Sequence, residues 1–250
     1  METRDEHVEI AVDDQHIAGT LVAPATALPG VLFVHGWGGN RQQYLTRARE
    51  VAELACVSLV FDLRGHARTD AQRETVSREA NLQDLIAAYD LLARRPGVDG
   101  SAIAVVGSSY GAHLAAILTS LRPVRWLALC APALYKDAGW ELPKRRLHDD
   151  PDFPLYRRRT AGAEENRALR ACAAFRGHVL IIEPEHDDTV PHVIIASYLA
   201  AFAQARSITS RLIEGADHGL SEERWQREYT SFLSNWLVEM GVGAIKESVS

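Results

Sequence analysis

The stretch Ile103-Ala104-Val105-Val106-Gly107-Ser108-Ser109-Tyr110-Gly111 carries the strongest pattern in this sequence of 250 residues. Four apolar residues run directly into a G-x-S-x-G motif, and a segment with helical spacing follows. Where a strand turns at once into a helix, small residues two positions either side of the central serine avoid clashes. The pattern predicts that Ser109 lies at a strained turn with its hydroxyl exposed at the end of the strand. The alternative is an ordinary turn in which a serine caps the helix.

Other apolar runs along the chain predict a sheet around this strand. Runs without alternation are typical of strands buried on both faces, as in a parallel sheet. They are Val31 to Val34, Val57 to Phe61, Trp126 to Cys130, Val179 to Ile182 and Ile208 to Ile213. Nearer the start of the chain, two runs flank the turn-prone Asp13-Asp14-Gln15-His16 and predict a hairpin: Val8 to Val12 and Ile17 to Val22.

Stretches with helical spacing separate the apolar runs: Gln42 to Leu54, Arg78 to Arg94, Tyr110 to Leu121, His192 to Gln204 and Glu222 to Val238. In the second stretch one face is apolar, and Arg78, Asp84 and Asp90 lie elsewhere, which predicts an amphipathic helix. A hairpin followed by alternating strands and helices predicts a doubly wound α/β fold with helices on both faces of the sheet. The ligand crevice of such a fold lies at the carboxyl ends of the strands.

One segment, residues 132–177, interrupts the alternation and is rich in charged residues and proline. A connection of this length is usually functional or partly helical, so we expect a small cap within a single domain over residues 1–250. Its basic clusters, Lys144 to Arg146 and Arg157 to Arg159, are expected on a solvated surface, and attraction of an anionic substrate is the alternative. Three aromatic residues either line a pocket or anchor the cap: Trp140, Phe153 and Tyr156.

A serine hydroxyl needs partners to act as a nucleophile. A histidine takes its proton, and a carboxylate fixes the tautomer of that histidine and stabilises its charged form. Here Asp187 and Asp188 follow the last apolar run but one, and His218 follows the last. The order Ser109, acid, His218 differs from the orders of the two well-known serine protease folds. Asp217 adjoins His218 in the sequence and is expected to be a turn residue.

A glycine-rich loop, His35-Gly36-Trp37-Gly38-Gly39-Asn40, follows another buried run. Glycines let backbone N–H groups approach a ligand closely, so the loop can donate one hydrogen bond to a developing oxyanion, and the residue after the nucleophile donates the second. We expect the N–H groups of Trp37 and Tyr110 to form this oxyanion hole. The alternative is a glycine-rich turn with no ligand. No spacing such as H-E-x-x-H occurs, so no metal site is expected.

Together these motifs resemble the α/β-hydrolase family over nearly the whole chain. The resemblance rests on five stretches: His35 to Gly39, Asp62 to His66, Gly107 to Gly111, Asp187 to Pro191 and Gly215 to Gly219. It implies an eight-stranded, mostly parallel sheet, with Ser109 as nucleophile, His218 as base and an acid after the seventh strand. In similar hydrolases the acid usually lies three positions before a Val-Pro pair, which implies Asp187 rather than Asp188.

Composition narrows the range of partners. With 47% hydrophobic and 24% charged residues, the chain is typical of a soluble globular protein. Its 33 acidic against 27 basic residues give a formal net charge of -6, the wrong sign for a nucleic-acid-binding protein. The first six residues include Glu2, Asp5 and Glu6 where a signal peptide would be basic, and no apolar run approaches the length of a membrane helix. We therefore expect a cytoplasmic protein without nucleic-acid or membrane partners.

The motifs predict a serine hydrolase that cleaves a small carboxylic ester through an acyl-enzyme and needs no cofactor. A thioesterase, a lipase or a serine peptidase would use the same three side chains, and a non-catalytic ligand receptor would retain them. The sequence leaves the physiological substrate and the oligomeric state open.

Overall fold

The computed structural model describes residues 3–24 and 29–247, and one eight-stranded sheet runs through them. In chain order the strands are β1 (Thr3–Val12), β2 (Gln15–Pro24), β3 (Gly30–Val34), β4 (Val57–Phe61), β5 (Ile103–Ser108), β6 (Trp126–Cys130), β7 (His178–His186) and β8 (Ser207–Asp217). Across the sheet their order is β1-β2-β4-β3-β5-β6-β7-β8. The pairs β1–β2 and β2–β4 are antiparallel and the other five are parallel. The predicted eight-stranded, mostly parallel sheet is confirmed.

Seven α-helices lie in the described part of the chain. They are α1 (Leu45–Glu53), α2 (Arg78–Ala93), α3 (Tyr110–Leu118), α4 (Phe153–Tyr156), α5 (Arg167–Ala174), α6 (His192–Ala201) and α7 (Glu223–Glu247). The predicted ends are wrong in places, since α7 continues past Val238 and α3 stops before Leu121. The hydroxyls of Thr119 and Ser120 donate to carbonyls of the preceding turn at 2.7 and 2.8 Å, which competes with continuation of α3.

The helices cover both faces of the sheet, as predicted. Helices α1 and α7 pack on one face, and α2, α3, α5 and α6 pack on the other. Each face carries its own cluster of buried apolar side chains, so the central strands are buried on both sides. Strand β5 lies between β3 and β6, which places its carboxyl end, and therefore Ser109, near the middle of one edge of the sheet.

Helix α2 differs from the amphipathic helix that the sequence predicts, because Arg78 and Asp84 on its polar side are both buried. Asp84 accepts a hydrogen bond from the Arg64 side chain at 2.5 Å and another from the Arg64 N–H at 2.8 Å. Arg78 donates to two backbone carbonyls of residues 132–177. That segment and the loop after β4 cover the second side of α2 and supply the partners that buried charges need.

Residues 132–177 form short elements between β6 and β7: α4, α5 and two 3-10 helices. The side chains of Trp140, Phe153 and Tyr156 are buried, and their contacts favour the anchoring role. The indole N–H of Trp140 donates to Glu79 of α2, and the Phe153 ring stacks on Tyr135 with centroids 5.8 Å apart. Asn166 donates to the Tyr156 hydroxyl at 2.8 Å. That the segment acts as a cap over a bound substrate stays a prediction.

Candidate active site

Ser109 lies at the turn between β5 and α3, where its backbone adopts a φ of +51°, in the left-handed region that a serine rarely occupies. The flanking glycines make this turn possible. A Cβ atom on Gly107 would lie 2.6 Å from the Cα of Ala112, and one on Gly111 would lie 2.3 Å from the carbonyl oxygen of Val34. Neither position has room for a side chain, so the small residues of the motif are required by sterics.

The three side chains predicted to work together converge at this edge of the sheet. His218 Nε2 lies 3.0 Å from Ser109 Oγ, and His218 Nδ1 lies 2.7 Å from Asp187 Oδ2. The other carboxylate oxygen of Asp187 accepts the N–H groups of Thr189 and Val190, at 2.8 and 2.7 Å. These bonds hold the carboxylate in position for the imidazole.

The two neighbouring acids have other surroundings. Asp188 is exposed, whereas the Asp187 side chain is only 4% exposed. Asp217 accepts the backbone N–H of Ser221 at 3.0 Å and also its hydroxyl, so it closes the turn after β8. The structure therefore brings Asp187, and neither of the other two, to His218.

The loop after β3 lies against the nucleophile. A Cβ atom on Gly36 would stand 3.3 Å from the Cβ of Ser109. The Trp37 ring meets the Tyr110 ring edge-on, with centroids 5.6 Å apart. Within the described residues, neither the Trp37 N–H nor the Tyr110 N–H donates to a protein acceptor. Both are therefore available to a ligand, as an oxyanion hole requires.

Two buried histidines hold this loop to the loop after β4. His35 Nε2 accepts the Leu63 N–H at 3.0 Å, and its Nδ1 lies 2.8 Å from the Gly36 carbonyl. His66 Nε2 accepts the Gly38 N–H at 3.1 Å, and its Nδ1 faces the carbonyls of Leu63 and Arg64. Each ring thus uses one nitrogen as donor and one as acceptor, which is the neutral form.

Burial lowers the pKa of His35 and of His66 to about 4, in agreement with their neutral bonding pattern. Sequence reasoning did not assign these histidines a role. The sequence feature that could have indicated their role is the presence of one histidine in each of the loops that follow the neighbouring strands β3 and β4. Only the pairing of those loops reveals that each histidine bonds to the backbone of the other loop.

Lys144 is buried, which contradicts its expected place on a solvated surface; Arg145 and Arg146 are exposed as predicted. The Nζ atom of Lys144 lies 4.0 Å from the centroid of the Trp37 ring, 4.9 Å from that of Tyr110 and 5.2 Å from that of Tyr135. These cation–π contacts partly replace the hydration that the ammonium loses. Burial, with the nearby charges of Arg157 and Arg78, lowers the pKa of Lys144 to about 7.

Within residues 3–24 and 29–247, no group of three His, Cys, Asp or Glu side chains is placed to hold a metal ion. In the same ranges, no helix has both the length and the apolar composition needed to cross a bilayer. The three cysteines are buried and unpaired.

The sequence model of the Alpha/beta hydrolase family matches residues 31–231 of this chain. The match covers most of the chain and spans all three converging side chains, so the chain belongs to the α/β-hydrolase family. A relative of unknown function from Mycobacterium tuberculosis is 28% identical over 220 residues, which are 86% of this chain and 71% of the relative.

Solved structures share the fold at low sequence identity. Dienelactone hydrolase from Anabaena variabilis superposes with a TM-score of 0.68 at 18% identity, over 96% of this chain and 99% of that one. Acetyl xylan esterase from Paenibacillus sp. R4 superposes with a TM-score of 0.70 at 20% identity, over 93% of this chain and 84% of that one. Dipeptidyl peptidase 4 from Porphyromonas gingivalis gives 0.66 at 17% identity, over 95% of this chain but 35% of its own.

Proposed function

We propose that this protein is a serine hydrolase that cleaves small carboxylic esters through an acyl-enzyme. The observation that carries the proposal is the continuous relay from Asp187 to His218 to Ser109, with contacts of 2.7 and 3.0 Å. The carboxylate holds the Nδ1 proton of the imidazole, which leaves the lone pair of Nε2 facing the serine hydroxyl. Membership of a hydrolase family supports the same chemistry.

In the first half of the proposed reaction, Ser109 Oγ attacks the ester carbonyl while its proton passes to His218 Nε2. The imidazolium that forms is stabilised by Asp187, which stays ionised. The carbonyl oxygen becomes an oxyanion and accepts the N–H groups of Trp37 and Tyr110, and each such donor contributes about 3 kcal/mol to transition-state stabilisation. His218 then gives its proton to the leaving alcohol, and the acyl group remains on Ser109.

In the second half, water takes the place of the alcohol. His218 accepts a proton from the water, the resulting hydroxide attacks the acyl carbonyl, and the same two N–H groups stabilise the second oxyanion. Collapse of this intermediate returns the proton to Ser109 Oγ and releases the carboxylic acid. Every proton moves between groups of this chain and the reactants, so the proposal includes no cofactor.

An ester substrate is favoured over a peptide by the comparison of chain lengths. The dienelactone hydrolase and the acetyl xylan esterase correspond to this chain over most of their own lengths. The dipeptidyl peptidase corresponds over about a third of its length, and the rest of that chain has no counterpart here. A small-molecule ester is therefore the proposed substrate. A cytoplasmic location and the absence of nucleic-acid and membrane partners stay predictions.

The proposal is tested by replacing the nucleophile. Ser109→Ala is expected to lower kcat for p-nitrophenyl butyrate by a factor on the order of 10^4 or more, because no oxygen remains to form the acyl-enzyme. A fluorophosphonate should label the unaltered protein at Ser109, as mapped by peptide mass spectrometry. Unchanged turnover in Ser109→Ala, or labelling at another residue, would contradict the assignment. Ligand binding without turnover by the unaltered protein would indicate a receptor instead.

The choice of acid has a matched control in the next residue. Asp187→Asn is expected to lower kcat by a factor on the order of 10^4, because the amide favours the wrong imidazole tautomer. Asp188→Asn changes an exposed side chain of the same type, and its kcat should stay within about twofold of the original value. Equal losses in the two variants would show that the loop, rather than one carboxylate, is what matters.

A further inference from the structure

A cavity of about 400 Å³ opens beside Ser109 and His218, on the side of the sheet that α1 and α7 cover. Its lining joins the glycine loop after β3 to Arg47 of α1 and Tyr229 of α7. No Asp or Glu is among the described lining residues, so Arg47 is the fixed charge of the cavity. The proposed mechanism uses one end of this cavity and leaves the remainder unexplained.

Arg47 differs from the two other arginines of its stretch of chain. Arg41 pairs with Asp62 at 2.8 Å, and Arg49 pairs with Asp5 at 2.7 Å. In the part of the chain that the structure describes, no carboxylate pairs with Arg47; its buried Nε, like that of Arg41, has no hydrogen-bond partner.

Aromatic rings hold the Arg47 side chain in place. Its guanidinium lies 4.4 Å from the centroid of the Tyr229 ring and 5.7 Å from that of Tyr44. Its one hydrogen bond to the described residues is donated to the Gln43 carbonyl, at 3.3 Å. Guanidinium groups stacked on aromatic rings keep their planar edge free for a carboxylate, so this side chain is preorganised to bind one.

Tyr229 supplies a second unused donor. Its hydroxyl is buried and has no partner of hydrogen-bonding geometry among the described residues. Burial raises the pKa of Tyr229, and the charge of Arg47 and the nearby Ser108 hydroxyl offset only part of this rise, so the phenol stays protonated and can donate. Buried donors without acceptors are costly and uncommon in folded proteins. An anion in the cavity would satisfy Arg47 and Tyr229 together.

We infer that this cavity is an anion subsite, in which Arg47 and Tyr229 bind a carboxylate of the substrate while the scissile carbonyl lies at Ser109. The guanidinium supplies one positive charge to balance the single negative charge of a carboxylate, and the hydroxyl supplies a further hydrogen-bond donor. The inference rests on the proposed function and narrows its substrate class to small esters that carry a free carboxylate on the acyl or the alcohol side.

Matched substrate pairs test the subsite by kinetics. On the acyl side, mono-p-nitrophenyl glutarate is compared with p-nitrophenyl valerate; on the alcohol side, the butyryl ester of glycolate is compared with ethyl butyrate. In one of the pairs the anionic member should have a kcat/KM roughly tenfold to a hundredfold higher. Arg47→Gln should abolish that preference. The ratio within a pair does not depend on how much of a variant is folded, so a loss of stability cannot imitate the result.

Three variants serve as controls. Arg49→Gln removes an exposed arginine of the same helix and should leave the ratio unchanged. Arg47→Lys keeps the charge without the planar donor edge and should retain part of the preference. Tyr229→Phe removes one neutral donor and should lower the ratio less than Arg47→Gln. Equal ratios in the unaltered protein and Arg47→Gln, for both pairs, would overturn the subsite.

Binding measured without turnover separates the subsite from the catalytic proposal. In the Ser109→Ala protein, calorimetry should detect the anionic ester of the preferred side, monomethyl glutarate or the butyryl ester of glycolate, more readily than its neutral partner, methyl valerate or ethyl butyrate. Ser109→Ala/Arg47→Gln should lose the difference. If that difference is found but no ester is hydrolysed by the unaltered protein, the subsite stands and the proposed function fails. If esters are hydrolysed with neither an anionic preference nor this difference, the function stands and the subsite is overturned.

Discussion

Two regions meet above Ser109, and they are held in different ways. The loops after β3, β4 and β5 are fixed by backbone contacts, in which glycines leave no space and His35 and His66 bond to main-chain groups. Residues 132–177 are fixed by side chains, chiefly aromatic rings and the cations stacked on them. The first region tolerates little movement because its contacts are short and involve the main chain. The second depends on burying charged groups that would otherwise be hydrated.

The loop region should therefore be the more sensitive to an added methyl group. In Gly111→Ala the new Cβ meets the backbone of β3, which cannot move without displacing the oxyanion loop. We expect a loss of about 3 kcal/mol in the free energy of unfolding and of roughly a hundredfold or more in kcat/KM. Urea denaturation and an ester assay measure both.

Gly241→Ala is the matched control, because Gly241 also lies in a helix but a Cβ atom added there would meet no atom of the described residues within 4 Å. Alanine is the better helix former, so this variant should be as stable as the original protein or slightly more stable. A Gly111→Ala protein with unchanged stability and activity would contradict the idea that the loop region is fixed by backbone sterics.

The loop region should also lose stability in acid. Burial lowers the pKa of His35 and His66 to about 4, below the ordinary value of 6.5. Between pH 6.5 and 4 the unfolded chain therefore binds more protons than the folded one, so the free energy of unfolding falls as the pH falls. Each histidine contributes a loss on the order of 2 kcal/mol by pH 4.5. Urea denaturation at pH 7 and 4.5 measures the sum.

Replacing one histidine at a time assigns this loss to the loops. His66→Gln should show a smaller fall between the two pH values, because a neutral amide cannot titrate. His186→Gln changes an exposed histidine and should leave the fall unchanged. If His66→Gln keeps the full fall, His66 does not contribute to the acid sensitivity.

Residues 132–177 should respond at the alkaline end instead. The pKa of Lys144 is lowered to about 7 from its ordinary 10.5, so between these values the unfolded chain binds more protons, and stability rises with pH. From pH 7 to 9 we expect a gain on the order of 2 kcal/mol that Lys144→Met lacks. Arg146→Met, an exposed neighbour, should retain it. The same gain in Lys144→Met would mean that the rings keep this lysine charged.

Much of the sheet and of the site could be predicted from local pattern. The buried runs marked the strands, and the five motifs marked the loops at their ends, because a tight turn or a close backbone approach restricts the residue types that fit. Ser109 and His218 were predicted in the same way, whereas the choice of Asp187 over Asp188 came from the resemblance to the α/β-hydrolase family. Helix ends were less predictable, since side chains such as Thr119 compete with the backbone for its carbonyls.

The burial of charged residues was predicted least well from the sequence. Arg78, Asp84 and Lys144 were assigned to polar or solvated surfaces, and all three are buried. Their partners are far away in the sequence: Arg64 for Asp84, and Trp37 for Lys144. The spacing of apolar residues along one helix indicates which side chains share a face, but not which other segments pack against that face.

The sequence by itself determined the order of the strands along the chain, the strained turn at Ser109 and the chemical types that meet there, because each depends on residues close together in the chain. Only the tertiary structure decided which loops bond to one another, that Lys144 lies among aromatic rings and that Arg47 faces a cavity whose described lining residues include no carboxylate. These features depend on distances between segments that are remote in sequence, and burial then sets how strongly each charge interacts.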